Sequence, residues 1–130
     1  MNYDVNRLPD EVLAFLAERH LASLTTLRPD GSPHVVPVGF SWDNTARLVR
    51  IITFEPSSKV SNVLRGSARA AVSQVDGGRW LTLEGTPRIT RDPADISLAV
   101  DDYARRYREP GSRDNRVAIE IAVDRVMGRA

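Results

Sequence analysis

Gln74-Val75-Asp76-Gly77-Gly78-Arg79-Trp80-Leu81-Thr82-Leu83-Glu84-Gly85 is the stretch that decides the fold. Asp76-Gly77-Gly78 is a turn with a mechanism, because Asp bonds back to its own backbone and Gly accepts a positive φ without strain. β-rich runs flank it, Ala68 to Val75 before and Arg79 to Thr90 after, so the segment predicts a hairpin. The same device recurs upstream. Leu21 to Leu27 leads through Pro29-Asp30-Gly31-Ser32 into Pro33 to Trp42, and Asp43-Asn44-Thr45 turns that strand into Leu48 to Phe54. A last strand, Arg116 to Asp124, alternates most cleanly: Val117, Ile119, Ile121 and Val123 share one face, and Arg116, Ala118, Glu120 and Asp124 the other. About six strands joined mostly by tight turns predict a mainly β chain whose antiparallel sheet closes into a barrel.

Three helices punctuate it. Pro9 to Arg19 has Pro in its first turn, Asp10 and Glu11 at the positive end, and an apolar stripe of Val12, Leu13 and Leu16. Ser58 to Arg65 is closed by Gly66. A longer helix begins at Asp92-Pro93, is striped by Ile96, Val100, Tyr103 and Tyr107, and ends at Glu109-Pro110-Gly111. Pro37 cannot donate to a ladder, so its strand is expected at a sheet edge or bulged there. The even positions Val36, Val38, Phe40 and Trp42 are expected on one face.

At 130 residues without a divisible linker, residues 1–130 are expected to form one domain. The net charge of +1 offers no broad basic face for nucleic acid. Cysteine is absent, which excludes a disulfide scaffold, a thiolate zinc site and a Cys nucleophile, and fits a reducing cytoplasm. No apolar run is long enough for a membrane helix, and Met1-Asn2-Tyr3-Asp4 lacks the pattern of a signal peptide; a cytoplasmic location is expected.

The chemistry-bearing block runs from Arg50-Ile51-Ile52-Thr53 through Pro56-Ser57-Ser58 to Lys59, the only lysine in the chain. Hydroxyls, free backbone N–H groups and one cation together can hold a phosphate, with Arg50 three residues upstream of Thr53. Spacing alone fits equally well a helix capped by Ser57 or Ser58 with a solvated lysine behind it. His34 and His20 are the whole histidine inventory, with no carboxylate at the helical spacing of a zinc site, so no metal site is expected. His34 is either a residue at the barrel rim or a wall of a ring-binding pocket. Trp80 shares its face with Thr82 and Glu84, which suits a cleft or a subunit interface. Asp101-Asp102 reads as a solvated helix surface. No nucleophile elbow, paired carboxylates or nucleotide fingerprint is present, a profile that fits chemistry carried by a bound cofactor.

Three blocks carry a resemblance: Pro33-His34-Val35-Val36-Pro37-Val38-Gly39-Phe40, then Arg50-Ile51-Ile52-Thr53 with Ser57-Ser58-Lys59, then Gln74 to Gly85. With Leu8-Pro9-Asp10, Tyr103-Ala104-Arg105-Arg106-Tyr107 and Arg125-Val126-Met127-Gly128, they resemble the split β-barrel flavin and deazaflavin oxidoreductases of the pyridoxamine phosphate oxidase-like fold. The match is nearest to the branch that uses coenzyme F420, and within it to actinobacterial F420-dependent biliverdin reductases. The resemblance implies a six-stranded split barrel and a homodimer with cofactor sites at the subunit interface. It implies a phosphate held by Arg50, Thr53, Ser57, Ser58 and Lys59. It also implies a deazaflavin ring beside His34, Val36, Pro37 and Val38, closed by Trp80 of the partner subunit. Reduced F420 would then pass a hydride to a small conjugated acceptor, biliverdin or another tetrapyrrole. An FMN-binding oxidoreductase and a non-catalytic carrier of F420 or haem products are the alternatives. Arg79 and Arg88 are candidates to receive substrate propionates. Phe54-Glu55-Pro56 departs from the small, Gly-rich stretch that the resemblance implies, because a Glu beside a phosphate is unfavourable unless it points away. Arg-x-x-x-x-Glu-Gly (Arg79, Glu84, Gly85) is shared with the pyridoxamine phosphate oxidases, whose C-terminal Trp-Arg-Leu motif is missing.

Overall fold

The computed structural model describes residues 1–130. In chain order the elements are β1 (Asn2–Tyr3), α1 (Asp10–Ala17), β2 (Ala22–Leu27), β3 (Pro33–Val38), β4 (Ser41–Asp43), β5 (Leu48–Phe54), α2 (Ser58–Leu64), β6 (Ala70–Asp76), β7 (Arg79–Thr90), α3 (Pro93–Arg106) and β8 (Arg116–Arg129). All strand pairs are antiparallel, in the order β3-β2-β6-β7-β8-β5-β4, with β1 added along β8.

The sheet has eight strands rather than six. β1 is two residues long, too short for any periodicity to reveal. The expected strand Pro33 to Trp42 is broken at Gly39-Phe40 into β3 and β4, which form the two opposite edges of the sheet. The expected closure is therefore corrected: no ladder joins β3 to β4, and the barrel is split along that seam. Pro37 lies on the edge strand β3, where its missing N–H costs no ladder bond.

The turn signals hold. Gly31 and Gly77 both take positive φ, +86° and +60°. Gly85 has a different task. It sits at a register shift between β7 and β8, and a Cβ there would lie 2.0 Å from the Ala122 carbonyl oxygen. That bulge needs a residue without a side chain.

One core fills the barrel: Val12, Phe15 and Leu16 of α1, Leu24, Val38, Phe40, Val49, Ile51, Val72, Leu81, Leu83, Ile119, Ile121 and Val126, among others. Val36 and Trp42 pack against it half-buried, so the even positions of the Pro33 to Trp42 run do share the inward face. The alternation of β8 predicts an open polar face, yet Val117 to Ile121 are buried without interruption. The reason is α3, which packs on β5, β4 and β8 and covers that face. Glu120, 2% exposed, is buried there against Arg50 and accepts from the Nε of the exposed Arg88 at 2.8 Å. Asp102 likewise turns inward rather than to water and accepts from Arg50 at 3.2 Å.

Candidate functional site

The seam and the start of α2 together make two clefts. The first, of about 310 Å³, lies between Pro37-Val38-Gly39, Ile52-Thr53-Phe54 of β5, Lys59 of α2, Tyr103 of α3, and Arg108, Pro110, Gly111, Arg113 and Arg116 from the run into β8. Its charge is one-sided. Lys59, Arg108, Arg113 and Arg116 line it without any carboxylate. None of the four belongs to an ion pair. Burial and the neighbouring Arg113 guanidinium push the Lys59 ammonium below its usual pKa. Thr53 is 7% exposed, and its Oγ1 is buried without a hydrogen-bond partner. Such a hydroxyl carries a desolvation cost that an incoming acceptor removes. Orphaned hydroxyl and uncompensated cations are together the donor set of a phosphate site, and the residues present fit such a group.

The second cleft, of about 650 Å³, lies between the β2–β3 hairpin (Arg28, Pro29, His34) and the α2 segment (Pro56, Ser57, Ser58, Ser61, Asn62, Arg65). His34 Nδ1 is buried without a partner. The Ser57 hydroxyl accepts from the Val60 N–H at 3.4 Å, so it caps α2. Asn62 is held from beneath by its Nδ2 donating to Thr26 Oγ1 at 3.1 Å.

Of the residues singled out in the sequence, Pro37, Val38, Thr53 and Lys59 meet in the first cleft, and His34, Ser57 and Ser58 in the second. Val36 points into the core and lines neither. Trp80 also lines neither; it is half-buried on the outer face of β7, opposite exposed Val75 of β6. Arg50 is not brought to the clefts. Its side chain is 6% exposed and committed to Asp43 at 2.7 Å, Asp102 at 3.2 Å and Glu120 at 3.6 Å. Glu55 does not face the phosphate candidates: Arg91 clamps it, Nε to Oε2 at 3.0 Å and Nη2 to Oε1 at 2.5 Å.

Arg79 and Arg88, the candidates for substrate propionates, are both paired with carboxylates of this chain. Arg79 is bound to Glu18 at 2.9 and 3.0 Å and to Asp76 at 2.5 Å, and Arg88 is held by Glu120. The Arg79 and His20 hydrogen bonds lower the Glu18 carboxyl from its usual 4.5 to about 2. Sequence reasoning missed Arg108 and Arg113 and saw Arg116 only as one face of a strand. Glu109 and Asp114 interleave with them and balance the local charge, and only the fold turns those carboxylates away from the cleft.

This fold has relatives. Residues 8–129 match the family model described as pyridoxamine 5′-phosphate oxidase. The chain belongs to the pyridoxamine 5′-phosphate oxidase family. An F420H(2)-dependent biliverdin reductase of Mycobacterium tuberculosis (strain CDC 1551 / Oshkosh) is 51% identical over 124 residues, covering 95% of this chain and 90% of the relative. Among solved structures, the conserved hypothetical protein Rv2991 of Mycobacterium tuberculosis superposes with a TM-score of 0.79 at 22% identity, over 95% of this chain and 85% of that one. An F420 reductase superposes with a TM-score of 0.75 at 24% identity, over 92% of this chain and 98% of that one. These two likenesses are of fold. No helix of this family member is long and apolar enough to cross a membrane.

Proposed function

We propose that the protein is a homodimeric reductase that binds coenzyme F420 and passes a hydride to a conjugated acceptor, biliverdin or a related tetrapyrrole. The observation that carries the proposal is the first cleft, where four unpaired cations and the orphaned Thr53 hydroxyl stand beside the Pro37-Val38 wall. The 51% identical relative named as an F420H(2)-dependent biliverdin reductase supports both the cofactor and the acceptor class.

Reduced F420, when bound, supplies the hydride. The chain supplies binding and orientation. Lys59 and Thr53 hold the phosphate, with Arg113 and Arg116 balancing its charge. Pro37 and Val38 offer an apolar edge to a ring, and the half-buried Tyr103, packed at Gly39, lines the same cleft. Trp80 lies outside both clefts of its own chain, opposite Val75, which is 68% exposed; this supports a contact in which Trp80 closes the site of a second copy.

Parallel titration with F420 and FMN tests the cofactor, and return of the F420 absorbance as biliverdin is consumed tests the acceptor. Light scattering tests the dimer. Tighter FMN binding would reject F420. Tight F420 binding without turnover over a panel of tetrapyrroles, quinones and enones would make the protein a carrier. A monomer at micromolar concentration that still holds cofactor tightly would reject the shared site.

A further inference from the structure

Lys59 is the only lysine in the chain, and the fold sets it among cations that keep their charge. Its half-buried side chain lines the first cleft with Arg108, Arg113 and Arg116, and no carboxylate lines that cleft. A guanidinium stays protonated in a protein, so the three arginines attract an anion whatever the state of the amine. Two of them are placed. The Arg113 guanidinium carbon lies 4.2 Å from the centroid of Phe54, and Arg116 Nη2 donates to the Gly111 carbonyl at 2.6 Å. Lys59 is the one cation of the four that can give up its proton and become a nucleophile. Burial, with Arg113 beside it, favours that neutral form. β5 adds the Thr53 hydroxyl, 7% exposed and unpartnered.

We infer that Lys59 is a covalent capture site, at which its amine condenses with small aldehydes that carry a phosphate; the inference rests on reading the first cleft as a phosphate site. The arginines and the Thr53 hydroxyl hold the phosphate, and the Lys59 nitrogen attacks the aldehyde carbon. The carbon–nitrogen bond forms, the nitrogen loses its protons, and the carbonyl oxygen takes up two and leaves as water. The product is an imine; nothing is oxidised or reduced, and hydrolysis reverses the step. At about 310 Å³ the cleft is at the small end of ligand pockets, which suits a compact aldehyde phosphate. The adduct removes the ammonium that would pair with the cofactor phosphate and fills its place. Capture and F420 binding therefore exclude one another.

The test is cyanoborohydride trapping on the full chain, read by peptide mass spectrometry. The probes are glyceraldehyde 3-phosphate and glyceraldehyde, and the α-amine of Met1, a residue 82% exposed, is the internal reference. The ratio of Lys59 to Met1 labelling is expected to be about tenfold or more higher with the phosphorylated probe, because a cleft of one charge sign concentrates an anion. Added salt, Arg113→Gln and Arg116→Gln should each lower that ratio. Equal ratios with the two probes, or labelling at Met1 alone, would overturn the capture site, and this comparison needs no variant to fold. Saturating F420 is expected to protect Lys59. Capture that proceeds equally well with F420 bound would instead remove the cofactor phosphate from the first cleft, and the two-probe comparison would still decide the capture site.

Discussion

Lys59 and Arg113 share one aromatic ring: the Lys59 Nζ lies 5.7 Å and the Arg113 guanidinium carbon 4.2 Å from the centroid of Phe54. The ring offsets part of the cost of holding two like charges together. No carboxylate completes the balance, and the lowered pKa of Lys59 reflects burial first and Arg113 second. A bound anion relieves that repulsion. This is the physical reason to look for the ligand's phosphate here.

Lys59→Ala removes one charge-assisted contact, worth about 1.5–3 kcal/mol. F420 affinity is expected to fall by about one to two orders of magnitude, measured by fluorescence titration, while thermal stability is retained. Unchanged affinity would make Lys59 a bystander.

Arg50→Ala is expected to behave in the opposite way. It leaves Glu120, which is 2% exposed, with Arg88 as its one cation and takes from Asp43 and Asp102 the cation they share. Breaking a buried ion pair by removing one partner costs about 3–5 kcal/mol. Urea denaturation should show that loss, and the cofactor affinity of the folded fraction should stay within about twofold. A stable variant that has lost cofactor would bring Arg50 back into the site.

Glu18 gives an acid signature. Its folded pKa of about 2 lies below its ordinary 4.5, so its ionised form is favoured by folding. The sign follows from linkage: where the unfolded chain binds the extra proton, stability rises with pH. The contribution is complete above pH 4.5 and is lost as pH falls toward 2. Glu18→Gln should lower the Tm at neutral pH, and the gap to the unmodified protein should narrow across that window. A gap independent of pH would show that Glu18 acts by packing alone.

Gly39→Ala probes the seam. A Cβ at position 39 would lie 2.9 Å from Tyr103 Cε2 and 3.1 Å from Tyr107 Cε2. Tyr107 cannot swing away freely, because its hydroxyl donates to the His20 carbonyl at 2.6 Å and accepts from the Phe40 N–H at 3.2 Å. Overpacking of this kind costs about 1–3 kcal/mol. Thermal unfolding should show the loss. Cofactor affinity should fall as well, because Gly39 and Tyr103 both line the first cleft.

Local chemistry was enough for much of this protein. The turn residues at Pro29-Asp30-Gly31-Ser32 and Asp76-Gly77-Gly78 announce their hairpins because φ preferences act within a few residues. Asp92-Pro93 announces α3 for the same reason. Pro37 marks a sheet edge because a missing N–H is a property of one residue. Thr53, Ser57, Ser58 and Lys59 are adjacent in sequence, so their gathering beside two neighbouring clefts was legible too. What tertiary structure alone decided is where charges find partners. Arg50 meets Asp102 across 52 positions, and α3 buries Glu120 on a strand face that alternation assigns to water. Arg108, Arg113 and Arg116 join Lys59 only because the segment after α3 folds back over β5 with Glu109 and Asp114 turned aside. The split at Gly39-Phe40 is of the same kind. Ten residues that look like one strand become the two opposite edges of the sheet, and at the break Tyr103 and Tyr107 occupy the space over Gly39. Periodicity reports a residue's neighbours along the chain, whereas ion pairing, burial and the seam depend on which distant elements pack against it.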